Sequence, residues 1–149
     1  MRIIFFGEDA FSSVVLESLV QEKHDILGVY CPIYDNFIYQ RLKYYCEKNN
    51  INFDRVSDFS SIEFINSLSK LSIELIVVCH FQKILKKELI ALPSLGCINL
   101  HPSLLPKYRG MAPQHWPIIN GEIETGITVH FIDEGVDTGD IILQKKNKY

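Results

Sequence analysis

The sequence predicts an open, mostly parallel α/β sheet with helices on both faces. Three observations carry that prediction. Short apolar runs alternate with helix-periodic segments over the first hundred residues, the pattern of successive βαβ units. Ile73–Val78 is almost continuously apolar, as in a central strand covered on both faces. The chain has 149 residues, 47% of them hydrophobic, with nine Phe, seven Tyr and one Trp, which fits one domain with a sizeable core.

The elements follow in order. Arg2–Phe6 is an apolar run ending at Gly7 and reads as a buried strand. Phe11, Val14, Val15, Leu16, Leu19 and Val20 recur at helical spacing, with Glu17, Gln21 and Glu22 on the other side. Ile26–Cys31 is the second strand, and strand–helix–strand implies a right-handed crossover between parallel strands. Tyr39–Lys48 is a helix stopped by Asn49-Asn50, and Ile51–Phe53 is a short strand. Ser61–Leu68 is a helix with Ser60 or Ser61 as its N-cap. Ile73–Val78 is the third long apolar run, and Ile84–Leu92 a short helix ended by Pro93. Gly96–Leu100 is a strand, residues 102–113 are loop, and Pro113–Ile119 is a helix ending at Asn120-Gly121. Ile127–Ile132 and Ile141–Gln144 are the last strands.

Composition excludes several classes. Long polar or charged runs are absent, so disorder is not the main state. No apolar stretch approaches the ~20 residues of a membrane span, and Met1–Gly7 lacks the long apolar region of a signal peptide. The expected address is therefore cytoplasmic, without a membrane partner. Fifteen basic and eighteen acidic residues give a net charge of −3, which argues against a general nucleic-acid binder. Cys31, Cys46, Cys79 and Cys97 form no C-x-x-C pair, so no metal site is expected, and free thiols fit a reducing compartment.

In open α/β sheets the functional site lies outside the carboxyl ends of the strands. Three segments there carry chemistry. Asn99 and His101 sit two apart at a strand end and so share a face, an amide donor beside an imidazole. Ile132–Asp140 packs four carboxylates, two glycines and a threonine into a tight turn whose spacing is not that of a calcium loop. Pro102–Gly110 is a proline-stiffened loop on which Lys107 and Arg109 flank Tyr108. Each segment alone also fits a plain role: a turn cap with a satisfied loop histidine, a solvated acidic turn, a rigid connector.

Together they resemble a known family. Asn99-x-His101-Pro102-Ser103-Leu104-Leu105-Pro106-x-Tyr108-x-Gly110, then Gly126-x-Thr128-Val129-His130, then Asp133-x-x-x-Asp137-x-Gly139, resembles the folate-dependent formyltransferases, with Asp137 36 positions after His101. The resemblance runs from Met1–Phe5 to Ile141–Gln144. It implies a Rossmann-like, open, mostly parallel twisted sheet and an N-formyltransferase using 10-formyltetrahydrofolate without a metal. It implies that Asn99, His101 and Asp137 are catalytic. It also implies that a loop at Gln82, Lys83, Ile84 and Leu85 and the loop of Ile132, Asp133, Glu134, Gly135, Val136 and Asp137 build the pterin pocket. Main-chain groups there would read the pterin edge, and Thr128 would help hold a water near the aspartate.

On the acceptor side, Lys107, Tyr108, Arg109 and Gly110 are expected to contact the substrate, with the two cations holding a phosphate. The segment after the first strand, Gly7-Glu8-Asp9-Ala10, places two acids where the family's purine-pathway member has a phosphate loop. Arg109-Gly110-Met111-Ala112-Pro113 is similar to the methionyl-tRNA and amino-sugar branches. The stretch Cys31–Asn36 is short and not basic, unlike the tRNA branch. The expected acceptor is therefore a small amine, first a nucleotide-linked amino sugar, with methionyl-tRNA as the alternative. Hydrolysis of the formyl donor and a non-catalytic folate-binding domain are the competing classes. Residues 1–149 are expected to be one catalytic domain, minimal or truncated at its C-terminus, and the last apolar strand is expected to offer a homodimer surface.

Overall fold

The computed structural model describes residues 1–149. Its strands are β1 (Arg2–Gly7), β2 (Asp25–Pro32), β3 (Phe53–Val56), β4 (Leu75–Cys79), β5 (Cys97–His101), β6 (Glu124–Phe131) and β7 (Ile141–Lys148). They form one sheet in the order β3-β2-β1-β4-β5-β6-β7. The first five run parallel to their neighbours, whereas β6 and β7 are antiparallel additions at one side. The sheet is thus mostly parallel, as expected. No helix is long and apolar enough to cross a membrane.

Strand alternation divides the core. Ile3 and Phe5 face α1 (Ala10–Gln21) and α2 (Gln40–Lys48), in a layer with Leu16, Leu42 and Cys46. Ile4 and Phe6 face the other way, toward α3 (Ile62–Ser69) and α4 (Lys87–Ile90), in a layer with Leu68 and Leu89. Phe6 centres an aromatic group there, with ring centroids 5.4 Å from both Phe59 and Phe81. Such pairs add about 0.5–1.5 kcal/mol each beyond area burial.

α1 docks differently from its apolar spacing. Val14 is exposed, and Ser12, Ser13 and Leu16 are the buried positions. The reason is a close approach: a Cβ on Gly7 would lie 2.6 Å from that of Ser12. Ser12 Oγ donates to the Cys79 carbonyl at 2.7 Å and accepts from the Glu8 N–H at 3.1 Å. Its neighbour Asp9 caps the helix, accepting from the Ser12 N–H at 3.0 Å. This arrangement joins the carboxyl ends of β1 and β4.

Four elements depart from expectation. β3 lies at Phe53–Val56 rather than 51–53, because Ile51 still closes the end of α2 by donating to the Cys46 carbonyl. The helix expected over Ile84–Leu92 shrinks to Lys87–Ile90, and Ile84 and Leu85 precede it as irregular backbone lining a cavity. Pro113–Ile119 is helical only at Trp116–Ile119, in α5, because Pro113–His115 form a turn closed by the His115 N–H donating to the Ala112 carbonyl at 3.0 Å. β7 extends to Lys148 and is exposed throughout, an edge strand whose lysines discourage further pairing.

The β5–β6 register sets Asn99 opposite His130 and His101 opposite Thr128. Thr128 is fully buried. Its hydroxyl donates to the Ser103 carbonyl at 2.7 Å and accepts from the Leu105 N–H at 3.1 Å and from Gln144 Nε2 at 2.9 Å. One hydroxyl thereby ties the 102–108 loop to β6 and β7. Thr128→Val keeps the shape but orphans buried backbone groups, so we expect a loss of roughly 1–3 kcal/mol in urea denaturation. Thr128→Ser should retain most of that stability. An unchanged midpoint for the valine variant would show that the loop is held by other contacts.

Candidate functional site

The carboxyl ends of the parallel strands open onto a cavity of about 550 Å³. Four segments wall it: the turn after β4, the end of β5, residues 110–115, and the loop after β6. The size is that of a small-molecule site.

Asp137 is the hub of one wall. Its Oδ2 accepts from the Gly110 N–H at 2.8 Å and lies 3.5 Å from His101 Nδ1. Its Oδ1 lies 3.5 Å from Asn99 Nδ2 and 3.5 Å from His130 Nε2. Asp137 has φ +51° and Gly110 φ +83°, so both loops hold left-handed turns where they meet. Burial pushes the Asp137 carboxyl up, but the His130 ring, the hydrogen bond from the Gly110 N–H and the His101 ring outweigh it. The net shift is below the usual carboxylate range.

The two expected partners are held from behind. His101 is buried, and its Nε2 donates to the Tyr108 carbonyl at 2.9 Å, leaving Nδ1 toward Asp137. His130 donates from Nδ1 to the Phe131 carbonyl at 2.8 Å, so its Nε2 accepts from Asn99 Nδ2 at 3.2 Å. One amide hydrogen of Asn99 is thereby committed and the other is left toward Asp137. The 3.5 Å separations are at the outer limit of hydrogen bonding, so Asn99 Nδ2 and His101 Nδ1 can turn to another acceptor.

The structure brings together Asn99, His101 and Asp137, and with them Gln82, Lys83, Ile84, Leu85, Ile132, Asp133, Gly135, Val136 and Gly110 as cavity lining. Leu85 is largely buried in the core, whereas Ile84 and Val136 present open apolar surface. Thr128 stands behind the wall with its hydroxyl engaged, and Glu134 is exposed outside it. Lys107, Tyr108 and Arg109 also lie outside. Lys107 Nζ pairs with Glu122 at 3.0 Å, the Tyr108 hydroxyl donates to the same carboxylate at 2.9 Å, and Arg109 is exposed. Tyr108 contributes its main chain, through the carbonyl that holds His101.

Sequence reasoning missed His130 as a site residue. Its signal was available: it lies two residues from Thr128 on one strand and so shares its face. It also missed the Met111–His115 wall, which local helix propensity hid.

The fold and cavity define a Rossmann-like α/β domain with a ligand-sized site at its strand ends. The chain belongs to the formyl transferase family, whose sequence model matches residues 1–148. It is similar to a methionyl-tRNA formyltransferase of Clostridioides difficile (strain 630), 42% identical over 150 residues, covering 97% of this chain and 48% of the relative. It is also similar to one of Prochlorococcus marinus (strain AS9601), 37% identical over 155 residues, with 99% and 47% covered. The chain spans about half the length of the curated relatives it matches. Phosphoribosylglycinamide formyltransferase of Anaplasma phagocytophilum shares the fold, with TM-score 0.84, 23% identity, and 100% of this chain and 72% of that one covered. A sugar 3N-formyl transferase, solved in the presence of dTDP and 5-N-formyl-THF, matches with TM-score 0.72 and 25% identity, covering 100% of this chain and 52% of that one.

The lowered Asp137 acidity makes a stability prediction. A carboxyl whose folded pKa is depressed stabilises the fold above its unfolded value and loses that contribution as pH falls through the folded one. Wild-type stability should therefore drop from about pH 4 downward. Asp137→Asn should show a flatter stability profile in that range, measured by denaturation at a series of pH values. Parallel profiles would mean that Asp137 makes no net contribution.

Proposed function

We propose that the protein transfers a formyl group from 10-formyltetrahydrofolate to a primary amine. The observation that carries this reading is the convergence of Asn99, His101 and Asp137 on one cavity, in a chain of the formyl transferase family. The cavity fits a folate: Ile84, Ile132 and Val136 offer apolar surface for a flat ring, and the 133–138 turn offers main-chain groups for its polar edge. When bound, the folate supplies an electrophilic formyl carbon on a nitrogen.

The chain's own groups then act as follows. Asn99 Nδ2–H and Nδ1–H of protonated His101 donate to the formyl oxygen as negative charge develops on it. Asp137, held ionised, sets a negative charge beside the His101 ring and aligns both donors through its two oxygens. His130 fixes the Asn99 amide with its nitrogen toward the site. The Tyr108 carbonyl fixes the His101 ring.

Methionyl-tRNA is the acceptor we favour. The curated relatives at 37–42% identity carry that acceptor in their names. The nucleotide-linked amino sugar expected from the short, non-basic Cys31–Asn36 stretch has weaker support, from the sugar 3N-formyl transferase at 25% identity. Lys107 is committed to Glu122, so any phosphate contact of the acceptor loop rests on Arg109.

The test is release of tetrahydrofolate from 10-formyltetrahydrofolate with methionyl-tRNA, with a dTDP-linked amino sugar, and with no amine. Turnover that needs methionyl-tRNA supports the reading, and amine-independent turnover replaces it with hydrolysis. His101→Asn and Asp137→Asn should each lower kcat by about 10²–10³-fold with the fold intact by circular dichroism. Near wild-type rates in either would remove its assigned role. Arg109→Ala should raise KM for the acceptor, more so at low salt, and leave KM for the folate unchanged. Equal changes in both would make Arg109 a support of the loop.

A further inference from the structure

Four histidines line the cavity: His80, His101, His115 and His130. They differ in what holds their nitrogens. Both nitrogens of His101 face protein groups, and so do both of His130. His115 is exposed, and no carboxylate orients it. His80 alone has the wiring of a proton acceptor. Its Nδ1 is tied by a short hydrogen bond to Asp9 Oδ2, and its Nε2 makes no hydrogen bond within the chain. The carboxylate fixes the Nδ1–H tautomer and leaves the Nε2 lone pair available, the arrangement that makes a histidine a general base.

The fold places this pair with some constraint. Asp9 sits just beyond β1 and His80 just beyond β4, at the point where the strand order reverses and ligands of such sheets bind. Asp9 is held on its other oxygen by the Ser12 N–H, as the cap of α1. His80 adopts φ +50°, a left-handed conformation uncommon outside glycine, and the Phe11 ring packs edge-on against it, centroids 5.5 Å apart. Val78 and Cys79 pair with Asn99 and Leu100, so His80 and His101 leave adjacent strand ends. Asp137, by contrast, has both oxygens turned to hydrogen-bond donors.

Resting on the formyl-transfer reading above, we propose that His80, oriented by Asp9, is the proton acceptor for the acceptor amine. As the amine nitrogen's lone pair forms the bond to the formyl carbon, one of its protons passes to His80 Nε2. The electron pair of the broken C–N bond stays on the donor nitrogen. That nitrogen takes a proton from solvent, to which His80 returns its own. His80 is the group that touches substrate, and Asp9 is a positioning residue.

The charged surroundings give the sign of the pH effect. The Asp9 hydrogen bond raises the His80 pKa against the lowering effect of burial, and the Asp9 and Glu8 charges add to the rise. Glu8, from the same turn, is buried and accepts from the Gln82 N–H at 2.7 Å, with Lys83 facing it. His101 and Asp137 stand at the next strand end. A base works only when neutral, so the rate should rise with pH through the His80 pKa. Removing the Asp9 charge should move that limb to lower pH.

The experiment uses His80→Asn, which tolerates the left-handed backbone, and Asp9→Asn, which preserves the helix cap. Readouts are kcat/KM for methionyl-tRNA against pH, binding of 5-formyltetrahydrofolate, and imidazole NMR titration of the ligand-free protein. We expect His80→Asn to lower kcat/KM about 10²-fold with folate binding unchanged. We expect Asp9→Asn to shift both the acid limb and the His80 NMR titration to lower pH. A wild-type rate and profile in His80→Asn, with the wild type active, overturns this proposal alone. A moved NMR titration with an unmoved rate limb also overturns it. A wild type that neither binds the folate nor turns over overturns the formyl-transfer reading and this proposal with it.

Discussion

The antiparallel pairing of β6 onto the parallel β5 is the constraint on which the site depends. It sets His130 beside Asn99 and Thr128 beside His101, all on one face of the sheet. Strand side chains alternate with period two, so a slip of one residue would put Val129 and Ile127 there instead. Thr128 then ties down the 102–108 loop, and that loop returns the Tyr108 carbonyl to His101. His130 turns the Asn99 amide, and the Gly110 N–H receives Asp137. Asn99, His101 and Asp137 are thus each held by the pairing or by a loop the pairing anchors.

Asp137 illustrates how burial and pairing compete. Taking a carboxylate out of water disfavours its charge, but a 2.8 Å main-chain hydrogen bond and two flanking imidazoles more than compensate. Its side-chain partners stay at 3.5 Å, close enough to feel the charge and too far to be fully bound. Such a site is positioned before ligand arrives and keeps donors to spare. The Asp9–His80 pair at the neighbouring strand ends is wired the other way, with a short hydrogen bond on one ring nitrogen and nothing on the other. Two carboxylate–histidine pairs of the same composition therefore have different capacities.

Much of this was legible in the residues. The apolar runs gave the strands of a doubly wound sheet, and the period-two rule put Asn99 and His101 on one face. Less legible were the ends of elements that line the cavity. Ile84 and Leu85, like Pro113–His115, carry helix-compatible spacing, yet they lie outside the helices that follow them and line the cavity, the latter as a turn. Lys107 reads as a free cation beside a proline loop, and only the fold reveals that Glu122, fifteen residues on, holds it.

The sequence by itself determined the α/β class, the near-complete order of strands and helices, and the family to which the motif from Asn99 to Gly139 belongs. These follow from local periodicity and from side-chain chemistry at short spacing, which a linear reading captures. The tertiary structure alone decided that β6 and β7 run antiparallel, that Thr128 supports a loop rather than lining the cavity, that His130 orients Asn99, and that Asp9 meets His80 across 71 residues. Those outcomes depend on contacts between segments far apart in the chain. Register, burial and loop closure select such contacts only when the whole sheet is assembled.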